Sequence, residues 1–334
     1  MNYKEILQAI VDRGVPKQPV RGTEKVENGT IGLFCENFRH DMSQGFPLTT
    51  LRQVPWKSLR IELEGFIKGI TSKAWYQNQG CNFWNEWANP LEVKRFYEKN
   101  YTEHVKDDWV DEDPYMSFEQ AKKYIQMSVD DLGPIYGYQW RQFGQQYGPV
   151  EAQYTSVYTE HYEYAEAMNG LLDGVDQLKS LVDQLKTNPY DRRMVISAWN
   201  PNQQQMMALP SCHVLWNVVV YGNKLNLVWF QRSCDASHGV PANIASYGLL
   251  LLLLCEESGL VPGELVGILS DCHLYDNTIP SVKILLEREE KELPQVKIKR
   301  KPDGSFSIFD WTWKDVETIG YNPHPKVNMG DVTV

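Results

Sequence analysis

The chain has 334 residues, 42% of them hydrophobic, enough to bury the core of one catalytic domain spanning residues 1–334. Its 33 Lys and Arg against 43 Asp and Glu leave a net charge of −10, which excludes a broad nucleic-acid-binding surface but allows a local anion pocket. The six cysteines have neither the density of a disulfide scaffold nor CxxC metal spacing, so they read as reduced thiols of a cytoplasmic protein without a bound metal.

The opening MNYKEILQAIVDRG has amphipathic helical spacing that stops at Gly14, without the apolar stretch and cleavage site of a signal peptide. Short strands are expected at Thr30 to Phe34 and before Gly45, followed by a helix over Trp56 to Lys68. That helix sets Leu59, Leu63, Phe66 and Ile67 on one face and ends at Gly69. Residues 90–131, charged and aromatic with a helical piece around Glu119 to Met127, look like an insertion. A tyrosine-rich segment over 145–169 looks like a second. A helix over Val175 to Lys186 follows, then β-rich runs at Met194 to Trp199, His213 to Val220 and Leu225 to Gln231. The apolar run Ile244 to Cys255 is too short to cross a bilayer and reads as a buried helix starting near Ala242, with another strand at Val266 to Leu269. Strands and helices of unequal length predict an α+β fold, a mixed β-sheet covered by helices.

Three stretches carry residues suited to chemistry: MALPSCH ending at His213, FQRSCDASHGVPANIASY ending at Tyr247, and SDCHLYDN ending at Asn277. They offer a thiol, an arginine fork suited to phosphate and a carboxamide able both to donate and to accept. Taken singly, each residue has an ordinary reading: Cys212 as packing, Asn243 as a helix cap, and Arg192 and Arg193 as a solvated pair.

Together the stretches resemble the thymidylate synthase family, which includes the phage deoxynucleotide hydroxymethylases. The likeness runs from Arg21 to the C-terminus and is interrupted by the two insertions. It implies one-carbon transfer from 5,10-methylenetetrahydrofolate to C5 of dUMP, with no metal, in a homodimer that pairs through a sheet face and is neither membrane-bound nor a general nucleic-acid binder. By that resemblance Cys212 is the nucleophile that adds to C6, and Arg232 is the cation beside it, also gripping the phosphate with Arg21 and Ser233. Arg192 and Arg193, in NPYDRRMVISAWN, would reach the partner's site. Asn243 would read uracil, while His273 and Tyr275 would bind the sugar 3′-hydroxyl. Glu62 would relay protons near O4, and Tyr136, in DLGPIYGYQWR, would assist loss of the C5 proton. Trp84 and Trp87 would wall the folate, Asp235 would touch the pterin, and the tail ending at Val334 would close over the folate with His238 beside it.

Several positions depart from the synthase pattern. Ser211 stands for a proline, Glu64 and Gly65 for an apolar residue and a tryptophan, His238 for a leucine, Ala242 for a phenylalanine and Ser270 for a glycine. These changes are expected to make the pocket more polar and less tightly filled. A synthase excludes water and delivers hydride to the exocyclic methylene intermediate, whereas a hydroxymethylase admits water to the same carbon. The expected product is therefore 5-hydroxymethyl-dUMP. The alternatives are reductive methylation to dTMP and, in a different class, an inactive nucleotide sensor or RNA-binding homologue.

Overall fold

The computed structural model describes residues 1–21, 24–25, 28–101, 125–147 and 174–330. Most of both expected insertions, including residues 119–124 of the expected helical piece, lies outside these residues, as does the tail ending at Val334. The chain gathers into two compact units, one of Met1–Glu64, Leu181–Ile196 and Cys212–Val334, the other of Gly65–Ser180 and Ser197–Ser211.

The described helices are α1 (Tyr3–Arg13), α2 (Trp56–Lys68), α3 (Lys73–Gln79), α4 (Pro90–Tyr101), α5 (Tyr136–Gln142), α6 (Gln177–Thr187), α7 (Gly239–Ser258) and α8 (Ile279–Leu286). The strands are β1 (Val15–Lys17), β2 (Val20–Arg21), β3 (Glu24–Lys25), β4 (Thr30–Asp41), β5 (Val195–Ser197), β6 (His213–Tyr221), β7 (Lys224–Asp235), β8 (Val261–Tyr275), β9 (Gln295–Ile298) and β10 (Val316–Ile319). Six of them form one sheet in the order β1-β4-β8-β7-β6-β5. β7 and β8 run parallel, while β4 with β8 and β6 with β7 run antiparallel. The result is the expected mixed sheet of an α+β fold.

Local chemistry explains the element ends. Asn2 caps α1 by accepting from Glu5 N, and the Glu5 side chain accepts from Asn2 N in return, which satisfies two free amides of the first turn. α2 starts and stops where its apolar spacing predicts, with Leu59, Leu63, Phe66 and Ile67 all buried and Gly69 at φ 70° after it. The middle of α7 is a leucine run, and Leu249, Leu250, Leu251, Leu253 and Leu254 are fully buried. At about 1.5–3 kcal/mol per side chain, their burial makes α7 a main stabilising element of the first unit. At 20 residues the helix is longer than its apolar run, and its burial marks it as core.

Two strands extend beyond the expected ones. β4 continues through Asp41, and β8 covers 15 residues. Near their middle the ladders are interrupted at one level. Phe34 pairs with Asp271 and Glu36 with Leu269, and Cys35 between them takes φ 60°. On the other side of β8, Gln231 pairs with Leu269 and Ser233 with Asp271, so the register passes over Arg232. The β6–β7 register shifts between His213 and Leu215. Such irregularities re-aim side chains next to sites, and here they coincide with Arg232 and with Cys212, the residue immediately before β6.

Gly267 on β8 allows this packing. A Cβ there would stand 2.4 Å from the ring of Trp229, which stacks on Tyr247 of α7 with centroids 5.0 Å apart.

Candidate active site

In the first unit, the thiol of Cys212 is half-buried and its Sγ lies 3.9 Å from Nη2 of Arg232. A guanidinium at this distance attracts a thiolate, the nucleophilic form of cysteine. Cys234, Cys255 and Cys272 are buried instead, and that burial pushes their thiols upward, the last two to about 12. The fold therefore keeps these three inert and gives Cys212 a cationic neighbour.

Asn243 does not cap a helix. It lies inside α7 and its carboxamide is held from both ends, Nδ2 at 2.8 Å from His213 Nε2 and Oδ1 accepting from Gln231 Nε2 at 3.0 Å. Gln231 is itself oriented by Trp229 Nε1, which donates to its Oε1 at 3.2 Å. Burial pulls the His213 imidazole down to about 3, so it stays neutral and can accept the Asn243 proton. With one hydrogen bond made at each end, the carboxamide keeps one N–H and one lone pair for a ligand. Gln231 stands in the quoted motif without a role assigned from sequence. Its signal is the alternation of β7, in which a glutamine takes a position of the buried face shared with Leu227 and Trp229.

At the end of β8, His273 Nδ1 lies 3.0 Å from Asp271 O and 3.6 Å from Asp271 Oδ1. Both are acceptors, so Nδ1 carries the proton and Nε2 is left as an acceptor suited to a hydroxyl. Tyr275 meets His273 edge-on at 5.3 Å. The His273 hydrogen bond outweighs burial and, with Lys17 at 2.5 Å, holds the Asp271 carboxyl down to about 2.

The turn Asp235–Gly239 joins β7 to α7. Asp235 Oδ1 accepts from Ser237 N at 2.8 Å, Ser237 Oγ at 2.6 Å and His238 N at 3.2 Å, while Oδ2 faces His238 Nδ1 at 3.1 Å. Burial pushes Asp235 up, but the hydrogen bonds and charge from His238 and Ser237 prevail and hold its carboxyl below the usual range. Ala242 follows His238 by one helical turn, on the same side of α7.

Ser233 follows Arg232 on β7 and is half-buried, and Glu62 is half-buried on α2. Arg192 and Arg193 are exposed, and Arg193 Nε lies 3.5 Å from Asp191. Arg21 belongs to the two-residue strand β2, its backbone paired with Glu24.

In the second unit, Tyr136 and Trp84 are buried together around Phe66, at ring distances of 4.9 Å for Phe66–Tyr136 and 6.4 Å for Trp84–Tyr136. Trp87 is half-buried, and its carbonyl accepts from Lys73 Nζ at 2.9 Å. Lys73 also donates to Gln126 O at 2.6 Å, so a buried ammonium pins the tryptophan-bearing loop. No sequence signal pointed to Lys73.

Three of the positions that depart from the synthase pattern have neighbours of their own. Glu64 Oε2 accepts from Trp313 N at 2.8 Å, within the first unit. Ser211 Oγ donates to Ala198 O at 3.1 Å, within the second. The space beside Gly65 is filled by Tyr76, whose ring carbons would lie 2.3 and 2.5 Å from a Cβ there. Glu64 and Ser211 thus each have a backbone partner, and the space beside Gly65 is occupied by a neighbouring ring.

The thymidylate synthase family profile matches residues 1–333. The human protein named thymidylate synthase is 35% identical over 329 residues, covering 98% of this chain and 89% of that protein. The thymidylate synthase of Mycoplasma pneumoniae is 34% identical over 319 residues, 93% of each chain. A bifunctional dihydrofolate reductase-thymidylate synthase of Paramecium tetraurelia is 34% identical over 327 residues, and this chain spans 60% of its length.

Proposed function

The chain belongs to the thymidylate synthase family, and from that premise we propose that it transfers a one-carbon unit from 5,10-methylenetetrahydrofolate to C5 of dUMP and releases 5-hydroxymethyl-dUMP. Cys212 adds to C6, which makes C5 an enolate-like carbon able to attack the folate's one-carbon unit. Arg232 accompanies the thiolate and, with Ser233, Arg21 and the partner's copies of Arg192 and Arg193, binds the phosphate. Asn243 donates to O4 and accepts from N3–H of uracil, its orientation set by His213 and Gln231. His273 Nε2 and the Tyr275 hydroxyl hold the sugar. Glu62 relays protons at O4, and Tyr136 assists loss of the C5 proton. Trp84 and Trp87 form the folate wall. The exposure of Arg192 and Arg193 supports a role in a second subunit, and the net charge of −10 disfavours general RNA binding.

The observation that carries the hydroxymethyl outcome is the polar cluster of Asp235, Ser237 and His238 at the start of α7. A water-binding group beside the one-carbon unit favours hydration of the methylene carbon over dry hydride transfer. The second reading, reductive methylation to dTMP, is favoured by the buried Trp84. Absorbance during turnover separates the two. Hydroxymethylation returns tetrahydrofolate and gives no dihydrofolate signal, whereas dihydrofolate formed in step with product supports the synthase reading.

A further inference from the structure

We propose that Asp235 and His238 form a carboxylate–imidazole pair in which His238 Nε2 takes the proton from the water that attacks the one-carbon unit on dUMP. The proposal rests on the hydroxymethylation reading above and names the base that reaction needs.

The tautomer follows from the hydrogen bonds. Ser237 Oγ lies 2.6 Å from Asp235 Oδ1, so the hydroxyl proton goes to the carboxylate and the serine oxygen is left as an acceptor. His238 Nδ1 faces that oxygen at 2.9 Å and Asp235 Oδ2 at 3.1 Å. Both neighbours accept, so Nδ1 carries the proton and Nε2 carries the lone pair. Among the described residues Nε2 has no hydrogen-bond partner. The ring is 23% exposed and can meet a solvent molecule. Asp235 accepts from Ser237 N, Ser237 Oγ, His238 N and His238 Nδ1, roughly the full acceptor capacity of a carboxylate. Through Oδ2 it holds the imidazole.

The turn itself is fixed from three sides. Arg52, buried, donates to Ser237 O at 2.7 Å; Tyr3 Oη donates to Ala236 O at 2.9 Å; and Ala236 N donates to His273 O at 2.8 Å. A base must be held to within a fraction of an ångström, and these bonds supply that restraint.

In the step itself, the water oxygen bonds to the exocyclic methylene carbon as one of its protons passes to His238 Nε2. The methylene π pair moves into the ring as the O4 enolate. That enolate then collapses to form C5=C6 and expels the Cys212 thiolate. His238 later gives its proton to solvent, so no oxidant or reductant is consumed. Asp235 is a positioning residue, and its carboxylate stabilises the imidazolium formed on the way.

The test compares wild type with His238→Gln and Asp235→Asn in three readouts: tritium release from C5-labelled dUMP, hydroxymethyl product, and product trapped by added 2-mercaptoethanol. A thiolate attacks the methylene carbon without needing a base. In His238→Gln, hydroxymethyl product per tritium released should fall about 10²-fold or more while the thiol-trapped product rises, and imidazole should restore hydroxymethyl formation to His238→Ala. Asp235→Asn should behave similarly, and if it fails to fold, the His238 variants carry the test alone. An unchanged ratio, or equal losses in all three readouts, would overturn the proposal while leaving hydroxymethylation by the wild type intact. Formation of dTMP by the wild type would remove the underlying reading and the proposal with it.

Discussion

Arg232 and Cys212 are tied twice, by the backbone bond from Arg232 N to Cys212 O at 2.9 Å and by the 3.9 Å approach of Nη2 to Sγ. The backbone bond sets how far the guanidinium stands from the sulfur, so the cation is placed by the strand pair rather than by a flexible side chain alone. Cys212→Ala should abolish tritium release from C5-labelled dUMP while leaving dUMP binding measurable by calorimetry, because the phosphate and base contacts lie on other residues. Turnover by that variant would eliminate the covalent route.

Base choice should follow Asn243. Asn243→Asp is expected to move preference from dUMP toward dCMP, since a carboxyl can pair with the N3 and 4-amino edge of cytosine. The relative kcat/KM of the two nucleotides reads this out. An unchanged ratio in a folded, active variant would place base reading elsewhere.

The two stretches that carry the proposed nucleophile and the proposed base reader stand out in sequence because their residues are local to strand ends and to one helix start. α2 was legible to its last residue because its apolar positions follow one period and Gly69 ends it. β4 and β8 were read too short. The left-handed kink at Cys35 and polar Asp271 and His273 break the alternation that marks a strand, although the backbone ladder continues past them. The support of His238 was hidden for a different reason. Arg52 and Tyr3 reach that turn from 185 and 233 residues away, a separation no local pattern carries. Gly65 misled because the volume it gives up is reclaimed by Tyr76.

Subunit sharing of Arg192 and Arg193 has a direct readout. An Arg192→Ala/Arg193→Ala protein and a Cys212→Ala protein, each inactive alone, should regain part of the activity when their subunits exchange, since one of the two sites in the mixed dimer is complete. Verified exchange without recovery would assign the arginines to their own subunit.

Gly267→Ala should cost about 1–3 kcal/mol of stability by forcing a methyl group against Trp229. Since Trp229 orients Gln231 and Gln231 orients Asn243, the variant should also raise KM for dUMP more than it lowers kcat. Chemical denaturation and steady-state kinetics check the two parts, and an unaltered KM would uncouple Trp229 from base reading.

Stability should also depend on pH through His213. Its folded value of about 3 lies below the value of about 6.5 for an exposed imidazole, so between these the unfolded chain binds a proton that the folded chain refuses. The contribution is fully present above about pH 6.5 and is lost as pH falls toward about 3, on the order of 2 kcal/mol at about pH 5. Urea midpoints at about pH 7 and about pH 5 should differ more in wild type than in His213→Gln. Equal differences would show that the imidazole titrates normally in the folded protein.

The central claim is the fate of the methylene carbon, and the most direct measurement is mass spectrometry of the nucleotide made from dUMP and methylenetetrahydrofolate. With His238 held by Asp235 and Ser237 at the start of α7, the predicted product is dUMP carrying a hydroxymethyl group, with tetrahydrofolate released unoxidised. A methyl group in its place, with one dihydrofolate for each nucleotide formed, would contradict the account and make hydride transfer the reaction of this chain.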